Sequence, residues 1–272
     1  MMENLFIFLT VISPKIKRRL WRSWYDFLAK SYQKEDWEFM NYGFADIDHQ
    51  LKPINLSLEE AQNKYFIQLY QKVASITNLQ HKKVLEIGSG RGGGSFFIAK
   101  YLSPMQIIGI DIAQENIALS KQLYKLPNLS YQEGDSENLP FLDNSFDVIL
   151  NVESSHCYGS MDKFLAEVHR VLKPDGLFSW ADLRPVNDLE KLENSLNKSG
   201  LVLVEKQDIT TNVIKALELI DQLKKEKINN NVPKILRHTF SEFAGVKNSK
   251  IYNGFVNGSL VYLTAFLQKK DS

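Results

Sequence analysis

Residues 151–160 read NVESSHCYGS and gather three side chains able to move protons or bind metals: Glu153, His156 and Cys157, the chain's single cysteine. A cysteine nucleophile needs a lowered thiol pKa and a base within hydrogen-bond reach. Adjacent residues rarely face each other, so His156 is poorly placed to activate Cys157, and the plainer role for the thiol is that of a small buried hydrophobe. The three side chains match no zinc-ligand spacing, and no metal is expected. General-base chemistry at His156 fits better, because imidazole titrates closest to neutrality. A carboxylate would then have to hold its tautomer. Asp182 is the candidate, and the competing arrangement pairs Asp182 with Arg184 while His156 merely fills a pocket. Glu153 is a second base or a pocket wall. His49, His81, His169 and His238 carry no such context.

The elements that must position these groups are legible as alternating patterns. Short apolar strands are predicted at 82–88, 106–111, 129–135, 145–152 and 177–183, with helices at 95–102, 114–125 and 161–173 between them. The last of these helices is predicted to stop at the Pro-Asp-Gly that follows it. Such alternation predicts a parallel sheet with helices on both faces. Ligands bind such sheets beyond the carboxyl ends of the strands, where the strand order reverses. The residues at those ends are Glu86 to Gly90, Asp111, Asp135, Asn151 to His156, and Asp182. Upstream, Ser57 and Glu60 have capping-box spacing and predict a helix over 57–76. Downstream, helices are predicted at 188–198, 213–228 and 234–243 and strands at 201–209 and 259–269, with KKEK (224–227) read as an exposed charge run. No repeat or linker divides the chain.

Composition excludes little. The chain of 272 residues is 44% hydrophobic, and 33 basic against 32 acidic residues give a net charge of +1. That balance offers no global attraction for nucleic acid, and a lone cysteine excludes an internal disulfide, which suits a cytoplasmic setting. The uncharged run LFIFLTVI (5–12) falls short of the roughly 20 residues of a spanning helix. The basic, Trp-bearing helix predicted over 15–30, with Leu20, Trp24, Phe27 and Leu28 near one face, either contacts a membrane surface peripherally or packs on its own domain.

The sharpest motif is VLEIGSGRGGG (84–94). Gly88, Gly90 and Gly93 satisfy G-x-G-x-x-G between a strand and a helix, where glycine permits a tight turn and close approach to a ligand. Asp111 ends the next strand, where a carboxylate can accept ribose hydroxyls. That arrangement serves NAD as well as S-adenosylmethionine. Against NAD, the Tyr-x-x-x-Lys pair of short-chain oxidoreductases is missing after the fourth strand.

VLEIGSGRGGG, GID, EGDSENLPFLDNSFDVILNVESSHCY, FLAEVHRVLKPDG and ADLRP together resemble a class I S-adenosylmethionine-dependent methyltransferase. VESSHCY, ADLRP, WRSWYDFL and FAGVKNSKIYNGFVNGSLVY resemble more narrowly the phthiotriol/phenolphthiotriol dimycocerosates methyltransferases, which methylate a lipid hydroxyl. The resemblance implies a Rossmann-like, doubly wound, seven-stranded α/β sheet in one domain spanning 1–272. Residues 1–80 would form a helical cap and entry, 81–185 the cofactor-binding core, and 186–272 the acceptor-side helices, including a late helical insertion, and terminal strands. It implies cofactor contacts from Tyr42, Glu86, Gly88, Ser89, Gly90, Asp111, Ile112, Gly134, Asp135, Ser136 and Asn151. Glu86 would help hold the amino-acid end of the cofactor and Asp135 would accept from the adenine amino group, the plainer role for Asp135 being a turn or cap. Tyr42, in WEFMNYGFAD, would cover the methionine end, or else its segment simply joins cap to core. Related sugar O-methyltransferases use a His and an Asp at the positions of His156 and Asp182. The expected acceptor is a hydroxyl of a lipid, polyketide or similar natural product, with sterol-type C-methylation as the alternative.

Overall fold

The computed structural model describes residues 37–270, together with Ile16, Arg19, Arg22, Ser23 and Asp26, all five helical. The apolar run 5–12, the face formed by Leu20, Trp24, Phe27 and Leu28, and, those five positions apart, the segment 1–30 expected to touch a membrane lie outside the described residues. The strands are β1 (Lys83–Ile87), β2 (Gln106–Asp111), β3 (Leu129–Glu133), β4 (Phe146–Val152), β5 (Leu172–Pro185), β6 (Leu201–Asp208) and β7 (Leu260–Lys269). The helices are α1 (Leu58–Ala61), α2 (Lys64–Ala74), α3 (Gly93–Tyr101), α4 (Gln114–Leu123), α5 (Met161–Val171), α6 (Leu189–Lys198), α7 (Thr210–Asn231), α8 (Arg237–Phe243) and α9 (Lys250–Val256).

Among the described residues the strands form one seven-stranded sheet in the order β3-β2-β1-β4-β5-β7-β6. The doubly wound arrangement expected from the resemblance is present. β1 to β5 pair in parallel, and β7 runs antiparallel between β5 and β6. The order reverses between β1 and β4, which are paired neighbours, so the carboxyl ends of these two strands open the crevice where the site lies.

Alternation along each strand feeds two cores. Val84, Val148 and Leu150 point to one face with Leu69, Val73, Phe97 and Ile98. Leu85 and Ile149 point to the other with Phe164, Leu165 and Val168. α5 is capped by Ser160, whose side chain accepts from Lys163 N. Its Phe164, Leu165, Val168 and Val171 recur at helical spacing and are all 0% exposed. Each such side chain contributes at most about 1.5–3 kcal/mol of transfer free energy.

Three elements differ from the sequence expectation. The 57–76 helix is two: the Ser57–Glu60 capping box forms, but the chain turns at Asn63, whose Nδ2 donates to Glu38 Oε2 at 2.7 Å. β5 begins at Leu172, and Pro-Asp-Gly lies within it as an irregularity that shifts the register against β4. Helix α9 falls between the helix predicted at 234–243 and the strand predicted at 259–269, with Gly254 inside it. The glycine is required by packing, since a Cβ there would meet Leu260 of β7 at 2.7 Å.

Candidate active site

The glycine loop leaves β1 at Gly88. Gly88 and Ser89 both donate their amides to Ile110 O at 2.8 Å, which ties the loop to β2. Gly88 has φ +77°, and a Cβ there would lie 2.3 Å from Ser154 Oγ. Asn151 fixes that neighbour: its Nδ2 donates to Ile87 O, Ser154 Oγ and Tyr158 OH at 2.8, 2.8 and 2.9 Å. Gly90 N and Ala113 N donate to the two oxygens of Asp111 at 2.9 and 2.8 Å. A cleft with about 910 Å³ of empty space opens above, lined by Gly88, Ser89, Gly90, Asp111, Ile112, Gly134, Asp135 and Ser136. Asp135 also caps its own turn, accepting from Glu137 N at 3.0 Å, so the turn role joins the cleft role.

Three residues expected at the cofactor sit elsewhere. Glu86 and Asn151 are fully buried and do not line the cleft. Burial pushes the Glu86 carboxyl up to about 7, against the bonds from Ser95 and Tyr70 that oppose the rise. The Tyr70 hydroxyl donates to Glu86 at 2.7 Å, so Glu86 supports a cleft-lining tyrosine from beneath. Tyr42 lies in a second cavity: its hydroxyl donates to Phe243 O at 3.1 Å and its ring packs edge-on against Phe255 at 5.9 Å. Here the tyrosine joins cap to core, while Glu38, Phe39, Met40 and Asn41 of the same segment line the cofactor cleft.

β4 is followed by Glu153, a left-handed residue with φ +48°, and then by a short 3-10 turn, Ser155–Cys157. The left-handed step turns the chain so that Glu153 Oε2 accepts from Tyr42 N and from Tyr262 OH at 2.8 and 2.9 Å. Residues held in such conformations cluster at functional sites. The 3-10 turn delivers His156 to Asp182 of β5: Nδ1 lies 2.7 Å from Oδ1, and the His156 amide donates to Oδ2 at 2.8 Å. A carboxylate only accepts, so Nδ1 carries the proton and Nε2 is the basic nitrogen of the neutral ring. Arg184 also reaches Asp182, with Nη1 to Oδ2 at 3.0 Å. The two pairings posed as rivals in the sequence therefore coexist. Ser155 Oγ completes the cluster, donating to Asp182 at 2.6 Å and accepting from Trp180 and Arg184 at 2.8 and 2.6 Å.

Burial by itself raises the Asp182 carboxyl, but His156 and Arg184 outweigh it and hold the group well below the usual carboxylate range. For His156, burial favours the neutral ring, yet Cys157 and Asp182 together lift the imidazole well above 6.5. Its side chain is 25% exposed, against 0% for Asp182. The imidazole faces the second cavity, with about 1080 Å³ of empty space including its open mouth, whose other walls include Trp37, Phe66, Phe240, Phe243, Leu223 and Ile228, with Lys224 and Lys227. The two cavities share Phe39, Met40, Asn41 and Glu153, so cleft and apolar chamber meet at a seam beside His156.

A methyltransferase domain family matches residues 85–180. Over 252 residues the chain is 36% identical to the phthiotriol/phenolphthiotriol dimycocerosates methyltransferase of Mycobacterium tuberculosis, covering 92% of each. The chain belongs to this methyltransferase family. It is an S-adenosylmethionine-dependent methyltransferase. A fatty-acid O-methyltransferase of Mycolicibacterium smegmatis is 30% identical over 240 residues, 88% of this chain and 86% of that one. The solved structure of the cyclase SpnF superposes with a TM-score of 0.69 at 17% identity, covering 92% and 95% of the two chains. That likeness speaks for the fold alone.

The residues of this methyltransferase fit the cofactor. Ser89 Oγ and Asn116 Oδ1 are buried at the cleft and have no hydrogen-bond partner among the described residues, a state that a polar ligand relieves. Asp111 and Asp135 suit ribose hydroxyls and an exocyclic amine, and the bare backbone at Gly88 leaves room for close approach. Gly88→Ala is expected to weaken S-adenosylhomocysteine binding at least about tenfold in a calorimetric titration. The new methyl forces Ser154 aside, and the left-handed backbone adds about 1–2 kcal/mol of strain. An unchanged affinity would show the cofactor bound away from the loop.

Sequence reasoning did not find Asn116, Tyr70, Tyr158 or Lys224. Tyr158 stood within the quoted motif, and Asn116 lies five positions after Asp111, in the first turn of α4. Lys224 gave no signal, because KKEK reads as a solvated face, whereas Lys224 and Lys227 both line the apolar chamber.

Proposed function

We propose that this methyltransferase transfers a methyl group to a hydroxyl oxygen of a lipid or similar apolar natural product, with His156 as general base and Asp182 orienting it. The observation that carries the reading is the 2.7 Å contact from His156 Nδ1 to Asp182, on a ring that faces an aromatic chamber next to the cofactor cleft. The relatives' names point the same way, toward dimycocerosates in one case and fatty acids in the other. When bound, S-adenosylmethionine supplies a methyl group activated by its sulfonium. The chamber admits the apolar body of the acceptor and excludes water. His156 Nε2 takes the hydroxyl proton as the oxygen turns nucleophilic, and Asp182 stabilises the imidazolium that results. C-methylation through a cationic intermediate is less well served: it draws on an ionised acid at the seam, and burial there holds the Glu153 carboxyl toward its neutral form. Among the described residues no helix is long and apolar enough to cross a membrane.

The pH profile tests the base. His156 acts only when neutral and its pKa is raised, so kcat/KM is expected to climb with pH and reach its plateau only above the ordinary histidine value of about 6.5. A profile flat through that region in the parent enzyme would remove His156 from the proton transfer.

A further inference from the structure

We propose that Lys224 is a specificity-determining residue that selects acceptors bearing an ionised carboxylate on an apolar chain. The inference rests on the O-methyltransferase reading above and names the acceptor class within it. Lys224 lies on the face of α7 that lines the chamber, beside Leu223 and Ile228. Its ammonium donates to Ala244 O at 2.7 Å and sits 5.5 Å from the ring centroids of both Tyr42 and Phe66. An ammonium has three donors and the carbonyl takes one, while the rings offer only their faces.

Nearby acids are committed to other groups. Asp221, one turn back on α7, accepts from Lys225 Nζ and Lys247 N at 2.6 and 2.8 Å. Glu153 receives Tyr42 N and Tyr262 OH on Oε2. No carboxylate among the described residues lies within 4.0 Å of Lys224. A cation held in an apolar wall with no carboxylate in direct contact is costly: burial lowers its pKa to about 8, although Glu153 and Asp221 act on it through space in the opposite direction. A carboxylate on the ligand supplies a contacting partner that Glu153 and Asp221 do not. The chamber favours one overall: its basic side chains are His156, Lys224 and Lys227, and the acid facing them, Glu153, is held toward its neutral form by burial.

The carboxylate is either the group that accepts the methyl or the neighbour of an accepting hydroxyl. In both cases one O–CH3 bond forms as the sulfonium C–S bond breaks and sulfur keeps the electron pair. A hydroxyl acceptor gives its proton to His156, and a carboxylate has none to give. A purely structural role is also available to Lys224, as a tie from α7 to the carbonyl end of α8 at Ala244, so the test must separate the two.

Calorimetric titrations of the purified enzyme with dodecanoate, 3-hydroxydodecanoate and dodecan-1-ol make that separation, with S-adenosylhomocysteine titrated into the same samples. The parent is expected to bind both acids at least about tenfold tighter than the alcohol. Lys224→Met is expected to erase that preference, leaving alcohol binding and Tm unchanged, and Lys224→Arg to restore it. Equal binding of acid and alcohol by the parent, or a Met variant that weakens both alike, overturns the proposal. Labelled cofactor then separates the two sources, a methyl ester from dodecanoate or a methyl ether from the hydroxy acid. S-adenosylhomocysteine binding and methylation of a neutral lipid alcohol without acid preference would overturn the lysine's role and leave the O-methyltransferase reading standing. Absence of S-adenosylhomocysteine binding would overturn both.

Discussion

His156→Ala is expected to lower kcat by about 10²–10⁴-fold while S-adenosylhomocysteine affinity stays at the parent value. The imidazole faces the apolar chamber, not the cofactor cleft, so cofactor binding does not feel its loss. Stability should fall by about 1.5–3 kcal/mol, the worth of the charge-assisted bond from the ring to Asp182, and no further. The backbone amide of residue 156 still donates to Asp182, and Arg184 still pairs with that carboxylate. Steady-state turnover with titration and thermal unfolding on the same preparation separates these effects. A variant turning over within about threefold of the parent would dismiss the base, since positioned proton transfer is worth far more than that.

Asp182→Ala is expected to behave differently, costing about 3–5 kcal/mol of folding stability as well as activity. The carboxylate is fully buried and accepts from Ser155 Oγ, His156 N and Leu183 N at 2.6, 2.8 and 2.8 Å. Its removal strands the Arg184 guanidinium, itself buried and 3.0 Å away. Urea unfolding reads the loss directly. Asp182→Asn keeps the shape and several of the bonds, so its folding defect should be smaller. It gives up the charge that raises His156, so the acid limb of kcat/KM should move to lower pH and kcat should fall. If Asp182→Ala unfolds like the parent, the Ser155–Asp182–Arg184 cluster is not holding the β4 and β5 ends together.

The contrast follows from burial. His156 is a partly open side chain that shares its hold on Asp182 with its own backbone amide, whereas Asp182 serves packing and chemistry with the same two oxygens. Glu153 belongs with Asp182 in this respect. Its left-handed backbone and paired bonds to Tyr42 and Tyr262 clamp the entry segment and β7 to the end of β4, and so set the shape of the seam.

By itself the sequence determined the order of strands and helices from β1 to β5 and the glycine loop with Asp111 and Asp135 at strand ends, and it marked His156 and Asp182 as candidates. These are local signals: alternation of period two or 3.6, a glycine where the backbone must turn, a polar residue where an apolar strand stops. Tertiary structure decided which of the marked residues meet. His156 and Asp182 are 26 positions apart, and only the parallel pairing of β4 with β5 brings their ends together. Glu86 and Tyr42 are acids and aromatics of the right type in the right segment, yet packing by Tyr70, Ser95 and Phe243 gives one a supporting role beneath the cleft and the other a place in the chamber wall. The glycine inside α9 is explained by a strand that follows it. Lys224 was hidden for a similar reason: a helix carries charge on any face that is wet, and only the packing of α8 and the entry segment against α7 makes that face the inside of a pocket.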